Sequence, residues 1–153
     1  MRVVLQRVTQ GQVSVEGEVV GRVGRGYVAL VGVAPQDSGA EAELLARKTA
    51  QLRVFDDEAG KMNLSLLDVN GGALVISQFT LYADTRRGRR PGFTYAAPPD
   101  MAAPLVDYFA DCLRREGVTQ VEQGIFGAMM LVEIHNDGPV TILLDSEDYR
   151  KES

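Results

Sequence analysis

The sequence has one cysteine and one histidine in 153 residues, and these two scarcities exclude several kinds of site. Cys112 alone cannot form an intramolecular disulfide or build a Cys-rich zinc site. Its apolar neighbours recur at helical spacing, which indicates a core position rather than a nucleophile. His135 is the only conventional base for a serine nucleophile, but it follows a strand pattern beside a turn, where a structural role is the commoner one.

Long apolar runs and cofactor motifs are also missing. No apolar stretch approaches the roughly 18 residues of a membrane span, and none near the start has the form of a secretory signal, so we expect a cytoplasmic protein. The sequence lacks a Gly-x-Ser-x-Gly elbow, a His-Glu-x-x-His pair, a Gly-x-x-x-x-Gly-Lys-Ser/Thr loop and a Gly-x-Gly-x-x-Gly turn before a helix. We therefore expect no metal and no cofactor. An enzyme of this composition would rely on backbone dipoles, hydroxyls and groups of its substrate.

The charge is acidic overall and basic in one place. Sixteen basic and 21 acidic residues give a net charge of -5, which argues against non-specific coating of nucleic acid, and we expect no DNA partner. Four arginines nevertheless fall within five residues on a glycine-broken loop: Arg86, Arg87, Arg89 and Arg90. Such a loop is either a solvated turn or a patch that contacts phosphates.

Short strands bounded by glycine dominate the pattern. The predicted strands are Met1–Thr9, Val13–Val15, Glu18–Val20, Tyr27–Val33, Arg53–Phe55, Leu74–Ile76, Val118–Glu122, Ala128–His135 and Val140–Leu144. Glu16-Gly17 marks a hairpin turn and residues 136–139 mark another turn. We expect the polar tail from Ser146 to fray.

Two helices interrupt the strands. Ser38 and Glu41 form a capping box before a helix over Gly39–Leu52, and Pro98-Pro99 precedes a second helix that starts between Asp100 and Pro104 and stops at Gly117. The prediction is a strand-dominated α/β domain covering residues 1–153. Its curved, mostly antiparallel or mixed sheet is barrel-like, and two helices pack on it.

The strand at Leu74–Ile76 ends in polar side chains, which is unusual for a buried strand. If the chain stays extended, Gln78 and Thr80 share one face, and Ser77, Phe79 and Leu81 share the other. These polar groups either satisfy the backbone at the strand end or line a site.

Four ordered motifs together resemble those of the D-aminoacyl-tRNA deacylases, formerly called D-tyrosyl-tRNA deacylases. They are Ser77-Gln78-Phe79-Thr80-Leu81, Arg90-Pro91-Gly92-Phe93, residues 121–130 (Val-Glu-Gln-Gly-Ile-Phe-Gly-Ala-Met-Met) and residues 136–141 (Asn-Asp-Gly-Pro-Val-Thr). The similarity extends from Met1 to Ser146. Gly92 departs from the family pattern, which has serine there.

The resemblance implies a homodimer that hydrolyses the ester between a D-amino acid and the 3′-terminal adenosine of tRNA. Ser77, Gln78, Phe79 and Thr80 would form one wall of the site. Across the interface, Gly138 and Pro139 of the second subunit would select chirality, and Arg7 would hold that turn. Phe126 and Met130 would line the adenosine pocket, and the four arginines would contact acceptor-stem phosphates.

A cis Gly138-Pro139 bond would direct carbonyls towards the substrate ammonium and exclude L side chains. Glycine would then also be accepted, including glycine mischarged on tRNA-Ala. Backbone N–H groups near Phe79 and Thr80 would stabilise the oxyanion. Water helped by the ribose 2′-hydroxyl is preferred over Thr80 as the nucleophile. A non-catalytic RNA-binding module and a small esterase for free D-amino acid esters are the alternatives.

Overall fold

A computed structural model describes residues 1–150. The main sheet has six strands: β1 (Arg2–Val15), β2 (Glu18–Val23), β3 (Gly26–Gly32), β6 (Gly72–Ser77), β7 (Val121–Gln123) and β8 (Leu131–Asp145). A small ribbon contains β4 (Phe55–Asp56) and β5 (Met62–Leu64). The helices are α1 (Gly39–Gln51) and α2 (Pro99–Arg115), with short 3₁₀ helices at Phe79–Tyr82 and Ser146–Tyr149.

Strand β1 organises the sheet because it has partners along both edges. On one edge it pairs with β8 from Arg2 to Ser14, and on the other with β3 and then with β2. Strands β3, β6 and β7 continue the sheet in parallel, and the Gln120 side chain donates to the Arg22 carbonyl at 3.2 Å, which links the β7 end back to β2. The sheet is therefore mixed and nearly closed, and the predicted barrel-like α/β fold with two helices is confirmed.

The curved sheet divides the apolar side chains into two clusters. One fills the barrel interior and contains Val8, Val13, Val23, Val28, Leu74 and Ile76. The larger one lies between the opposite sheet face and the two helices, and includes Leu45, Phe109 and the buried Cys112. Cys112 is a core residue, as its spacing predicts.

The capping residues and prolines predicted the helix starts, and the end of α1, to within one residue. Both halves of the capping box form. The Ser38 N–H donates to the Glu41 carboxylate at 2.7 Å, and the Ser38 hydroxyl accepts from the Ala40 N–H. Helix α1 ends one residue before the predicted boundary. Helix α2 begins at Pro99, one residue before the predicted range, and Pro104 lies inside it.

The first two strand predictions, the strand predicted from Val118 and the tail prediction need correction; β7 begins only at Val121. The first strand and the first hairpin strand are one continuous β1, because β8 pairs with the whole length. The chain after Asp145 forms a 3₁₀ helix, and Ser146 is buried with its N–H bonded to the Met1 carbonyl at 2.9 Å. Fraying is therefore wrong for residues 146–149, and residues 151–153 lie outside the described part. No helix within residues 1–150 is long and apolar enough to cross a membrane.

The turn before β3 offers a test of backbone packing. Gly26 has a positive φ of 155°, and a Cβ on it would collide with the Gly72 carbonyl oxygen. Gly26→Ala is expected to lower the free energy of unfolding by roughly 2 kcal/mol or more. Gly24→Ala is the control, since a Cβ there meets nothing within 4 Å, and its effect stays within about 1 kcal/mol. Equal effects in urea unfolding would contradict this account.

Candidate functional site

The chain leaves the sheet at the end of β6 and turns sharply. The last pair of β6 joins Ser77 to Val31, one residue before β3 ends, so no strand continues alongside. Without partners in the sheet, the backbone bonds locally: the Leu81 N–H donates to the Gln78 carbonyl at 3.2 Å, and the Ala83 N–H to the Thr80 carbonyl at 3.0 Å. The predicted extended alternation through Leu81 is wrong.

The turn brings polar and aromatic side chains to the surface. The Gln78 amide hydrogen-bonds the Thr80 hydroxyl, so these two side chains act as a unit. Phe79 remains 55% exposed, although its ring packs edge-on against Phe93 with centroids 4.9 Å apart. An exposed phenylalanine beside paired polar groups is typical of a binding surface rather than of a strand end.

A cavity of about 390 Å³ opens beside this turn, and we refer to it as the site cavity. Its lining comes from the ends of β3 and β6 and the residues just after them, from the segment before α2 and the start of α2, and from the loop after β7: Val31, Val33, Ser77, Gln78, Phe79, Phe93, Ala96, Ala97, Pro98, Pro99, Ala102, Val106, Phe126 and Gly127. Small and apolar side chains therefore dominate it, as in a pocket that receives a flat or apolar group.

Four predicted site residues meet in this cavity: Ser77, Gln78, Phe79 and Phe126. Thr80 is exposed next to it and is held by Gln78. Met130 is not in the lining. It packs against the barrel-interior cluster, and a Cβ on Gly124 would lie only 2.6 Å from its sulfur.

Residues 136–139 form an outward bulge rather than a reversal of the chain. Asn136 lies opposite Val8 and Thr141 lies opposite Gln6, so four residues of β8 face Arg7 alone. The two predicted strands on either side are therefore one strand, β8. The bulge carries a cis Gly138-Pro139 bond, and Gly138 has a φ of 122°. Both residues are exposed to solvent.

Arg7 lies directly beneath this bulge. Its side chain is 7% exposed, and its Nε donates to the Asp137 carbonyl at 3.1 Å while Nη1 donates to the Val54 carbonyl at 2.7 Å. The Asp56 and Asp137 carboxylates lie 3.4 and 3.6 Å from the guanidinium. A buried charge needs such partners, and through them Arg7 ties the bulge to β4.

The bulge and the site cavity are separate in one copy of the chain. Neither Gly138, Pro139 nor Arg7 lines the cavity among residues 1–150. Large apolar side chains are exposed on β8 and just before it: Met129 at 92%, Leu131 at 66% and Leu143 at 75%. β8 pairs only with β1 in the described sheet, so its other edge carries free backbone groups.

The arginine loop, residues 84–92, is a closed hairpin in which one exposed arginine is paired with an aspartate. Asp84 and Gly92 pair through backbone bonds of 2.7 and 2.8 Å. Arg86 contacts the Asp84 carboxylate through Nε at 2.9 Å and Nη2 at 3.0 Å, and this hydrogen bond lowers the pKa of Asp84. Arg87, Arg89 and Arg90 are exposed, without an ion pair in the described chain.

The available chemistry is that of amides, hydroxyls and backbone N–H groups. His135 lies on β8, where the Gln10 amide contacts its ring at 3.3 Å, and it is absent from the cavity lining. Gln78 is the hydrogen-bond partner of Thr80, and an amide is not a base at neutral pH. The N–H groups of Phe79 and Thr80 open the 3₁₀ helix and have no earlier carbonyl within it to bond.

Comparison with known families matches residues 4–145 to one described as D-Tyr-tRNA(Tyr) deacylase. The chain belongs to this family. A D-aminoacyl-tRNA deacylase of Roseiflexus sp. (strain RS-1) is 64% identical over 151 residues, which cover 99% of this chain and 97% of that protein. The D-aminoacyl-tRNA deacylase of Bacillus velezensis is 54% identical over 147 residues, covering 96% and 99%. The resemblance drawn from the four motifs is confirmed.

Solved structures agree with the deacylase fold. A protein called c-Myc DNA Unwinding Element Binding Protein has a TM-score of 0.89 and 41% identity, covering 95% of this chain and 98% of its own. A probable eukaryotic D-amino acid tRNA deacylase has a TM-score of 0.81 at 21% identity, covering 94% and 97%, which shows the fold alone.

Sequence reasoning missed part of the cavity of this deacylase-family chain. Phe93 stands in one of the quoted motifs, yet its contact with Phe79 has no local signal. Ala102 and Val106 line the cavity from α2, although their helical spacing indicates only a core face. At Gly92 a Cβ would come no closer than 4.0 Å to its neighbours, so the serine of the family pattern would fit there.

Proposed function

We propose that this chain hydrolyses the ester bond of D-aminoacyl-tRNA and releases the free D-amino acid and tRNA. The observation that carries the proposal is the position of the Ser77–Thr80 motif at the mouth of an apolar cavity, in a chain 64% identical to a protein named for that reaction. The cavity would take the terminal adenosine against Phe126, and Gln78 and Thr80 would lie at the ester. We expect a single domain acting in the cytoplasm.

The chemical step would use water rather than a protein nucleophile. The Thr80 hydroxyl has an amide as its partner and no base, so it is not activated. The N–H groups of Phe79 and Thr80 would stabilise the oxyanion, an effect worth roughly 3 to 4 kcal/mol per donor in known cases. The ribose 2′-hydroxyl of the substrate would help the water attack, and no metal would be required.

Chirality would be selected by exclusion at the Gly138-Pro139 bulge. Backbone carbonyls there would hold the substrate ammonium, and an L side chain would collide with the bulge, whereas a D side chain would point outward. Such a site cannot reject glycine, because the side chain of glycine is a hydrogen atom and does not collide with the bulge. Glycine esters, including glycine on tRNA-Ala, would therefore also be hydrolysed.

This selection requires a homodimer, because the bulge and the cavity are apart in one copy. A second copy would bring its Gly138-Pro139 bulge to the site cavity of the first, with Arg7 holding the bulge. The exposed apolar side chains Met129, Leu131 and Leu143 support an interface on this side of the molecule.

The arginine loop would contact phosphates of the tRNA acceptor stem. Three of its arginines are free of carboxylates, whereas Arg86 is bound to Asp84 and contributes less free charge. The contact would be independent of sequence and weaken with salt.

A non-catalytic nucleic-acid-binding module is the second candidate function. The relative of 41% identity that is named for binding a DNA element favours it. The net charge of -5 disfavours duplex coating, so this candidate predicts binding without hydrolysis.

Direct hydrolysis assays would separate these functions. Purified protein with labelled D-tyrosyl-tRNA, L-tyrosyl-tRNA and glycyl-tRNA-Ala is expected to release D-tyrosine and glycine but not L-tyrosine, with or without EDTA. In the same assay Thr80→Ala is expected to slow hydrolysis without abolishing it, since a positioning group is lost. Free D-tyrosine ethyl ester is the control for a simple esterase.

Other outcomes of this assay would contradict specific parts of the proposed function. Release of tyrosine from neither tyrosyl-tRNA would favour the binding module. Loss from both would mean that Gly138 and Pro139 do not select chirality, and a covalent ester trapped on Thr80 would exclude water as the first nucleophile.

Mixing two inactive variants would test the shared site. Ser77→Phe fills the site cavity, which has room for the ring, and Gly138→Val puts a side chain where a Cβ already lies 2.9 Å from Val140 and 3.0 Å from Arg7. Each variant alone is expected to be inactive. After subunit exchange, half of the dimers are mixed and each has one intact site, so about a quarter of the wild-type activity returns. Mixed dimers without activity would place both elements in one subunit.

Salt dependence would test the arginine loop. Arg87→Ala/Arg90→Ala is expected to reduce the slope of log affinity for uncharged tRNA against log salt by about 1.4 to 1.8, as two phosphate contacts are lost. Arg47→Ala, an exposed arginine of α1, is the matched control for charge. An unchanged slope in the double variant would mean that the loop is a solvated turn.

A further inference from the structure

A second cavity, of about 590 Å³, is lined in part by residues next in the chain to those that line the site cavity. The segments at residues 79–82 and 93–95 wall both: Phe79 and Phe93 line the site cavity, whereas Tyr82 and Thr94 line the second one. The polar and aromatic side chains that line the second cavity lie outside the four deacylase motifs; among them are Arg2, Gln36, Tyr82, Arg86, Thr94 and Tyr95.

An arginine guanidinium lies over each of two tyrosine rings in the second cavity. The Arg86 guanidinium lies 5.5 Å from the ring centroid of Tyr95 and also donates to its hydroxyl. The Arg2 guanidinium lies 4.5 Å from the ring centroid of Tyr82. Tyr95 is 50% exposed and lines the cavity, so part of an aromatic surface that Arg86 holds in place is open to a ligand.

The charges in the lining are already paired. Arg86 is bound to Asp84, Arg2 to Asp145 at 2.9 Å, and Arg150 to Glu147 at 3.1 Å. A neutral slot of this kind suits an uncharged flat ring rather than an ion. Arg86 also keeps donors to spare, because its Nε and Nη2 contact Asp84 and Tyr95 while Nη1 has no partner within residues 1–150.

We propose that the second cavity binds a nucleobase of the single-stranded RNA end, one or two nucleotides before the terminal adenosine, by stacking on Tyr95. The inference rests on the proposed function, which puts that adenosine in the site cavity. Aromatic rings and arginine planes are the surfaces on which proteins stack unpaired bases. Gln36 and Thr94 offer polar groups to the edge of the base.

The spacing of the residues that line the two cavities suits this arrangement. Phe79 and Tyr82 are three residues apart in a 3₁₀ helix, which is roughly 6 Å along its axis. A stacked strand rises about 3.4 Å per nucleotide, so one or two nucleotides cover that distance. The phosphates between them would run past the arginine loop, where Arg87 follows Arg86 directly.

The test compares substrates that differ only in length. For wild type, kcat/KM is expected to be higher for a D-tyrosyl CCA trinucleotide than for D-tyrosyl-adenosine, because only the trinucleotide reaches the second cavity. Tyr95→Ala is expected to lower kcat/KM for the trinucleotide by about fivefold to 150-fold, the effect of one stacked base. For D-tyrosyl-adenosine the same variant changes it by less than about twofold.

Control variants separate stacking from damage to the fold. Tyr95→Phe keeps the ring and is expected to retain the preference for the trinucleotide. Tyr108→Ala removes a tyrosine that also carries an arginine but lines neither cavity, and is expected to leave the preference unchanged. Equal loss on both substrates in Tyr95→Ala, or no preference in wild type, would overturn the proposal.

Binding of RNA that carries no amino acid tests the base-binding cavity even without hydrolysis. Calorimetric titration of wild type is expected to show tighter binding of the CCA trinucleotide than of adenosine, and Tyr95→Ala is expected to remove the difference. If no ester is hydrolysed but this difference is found, the proposed reaction fails and the base-binding cavity stands. Equal affinities of both ligands for wild type would overturn the cavity assignment alone.

Discussion

The antiparallel pairing of β1 with β8 is the constraint on which the rest of the molecule depends. It runs from Arg2 to Ser14 and joins the two ends of the chain across the whole sheet. Because the other edge of β1 is taken by β3 and β2, the sheet curves around this strand. The pairing also creates the bulge, since Arg7 alone faces four residues of β8. Gly138 and Pro139 therefore project from a paired strand and not from a loose loop. The proposed selection by exclusion would require that rigidity.

The site itself arises where pairing stops. Strand β6 is central only as far as Ser77, and beyond it neither β3 nor β7 continues. The backbone then bonds to itself in a 3₁₀ turn, which exposes Phe79 and Thr80 and leaves two N–H groups without a carbonyl. The same loss of partners that ends the strand thus provides the donors that the proposed reaction uses. Both donors lie at the edge of the apolar cavity, so a bound substrate would displace water from them and strengthen such hydrogen bonds.

Sequence patterns predicted what depends on neighbours along the chain. The capping box at Ser38 and Glu41, the hairpin at Glu16-Gly17 and the buried face of α2 with Phe109 and Cys112 are of this kind. The 3₁₀ turn and the bulge depend on where other strands end or slip, and no local pattern carries that information. The convergence of Ser77, Phe79 and Phe126 came from the family resemblance, not from periodicity. Arg86 shows the limit on charge: four arginines look equivalent in sequence, yet Asp84 neutralises one of them.

The wall between the two cavities makes their functions interdependent. Phe79, Phe93 and the pair Asp84–Gly92 belong to one short turn and hairpin, so a movement of this segment would change the walls of both cavities. The apolar side can hold an adenosine and the tyrosine side a neighbouring base only if the hairpin keeps one position. The two backbone hydrogen bonds between Asp84 and Gly92, and the contacts of Arg86 with Asp84 and Tyr95, hold this otherwise exposed segment in place. In the proposed complex Arg86 would support recognition by holding Tyr95, whereas Arg87, Arg89 and Arg90 would contact phosphates because they remain free of carboxylates.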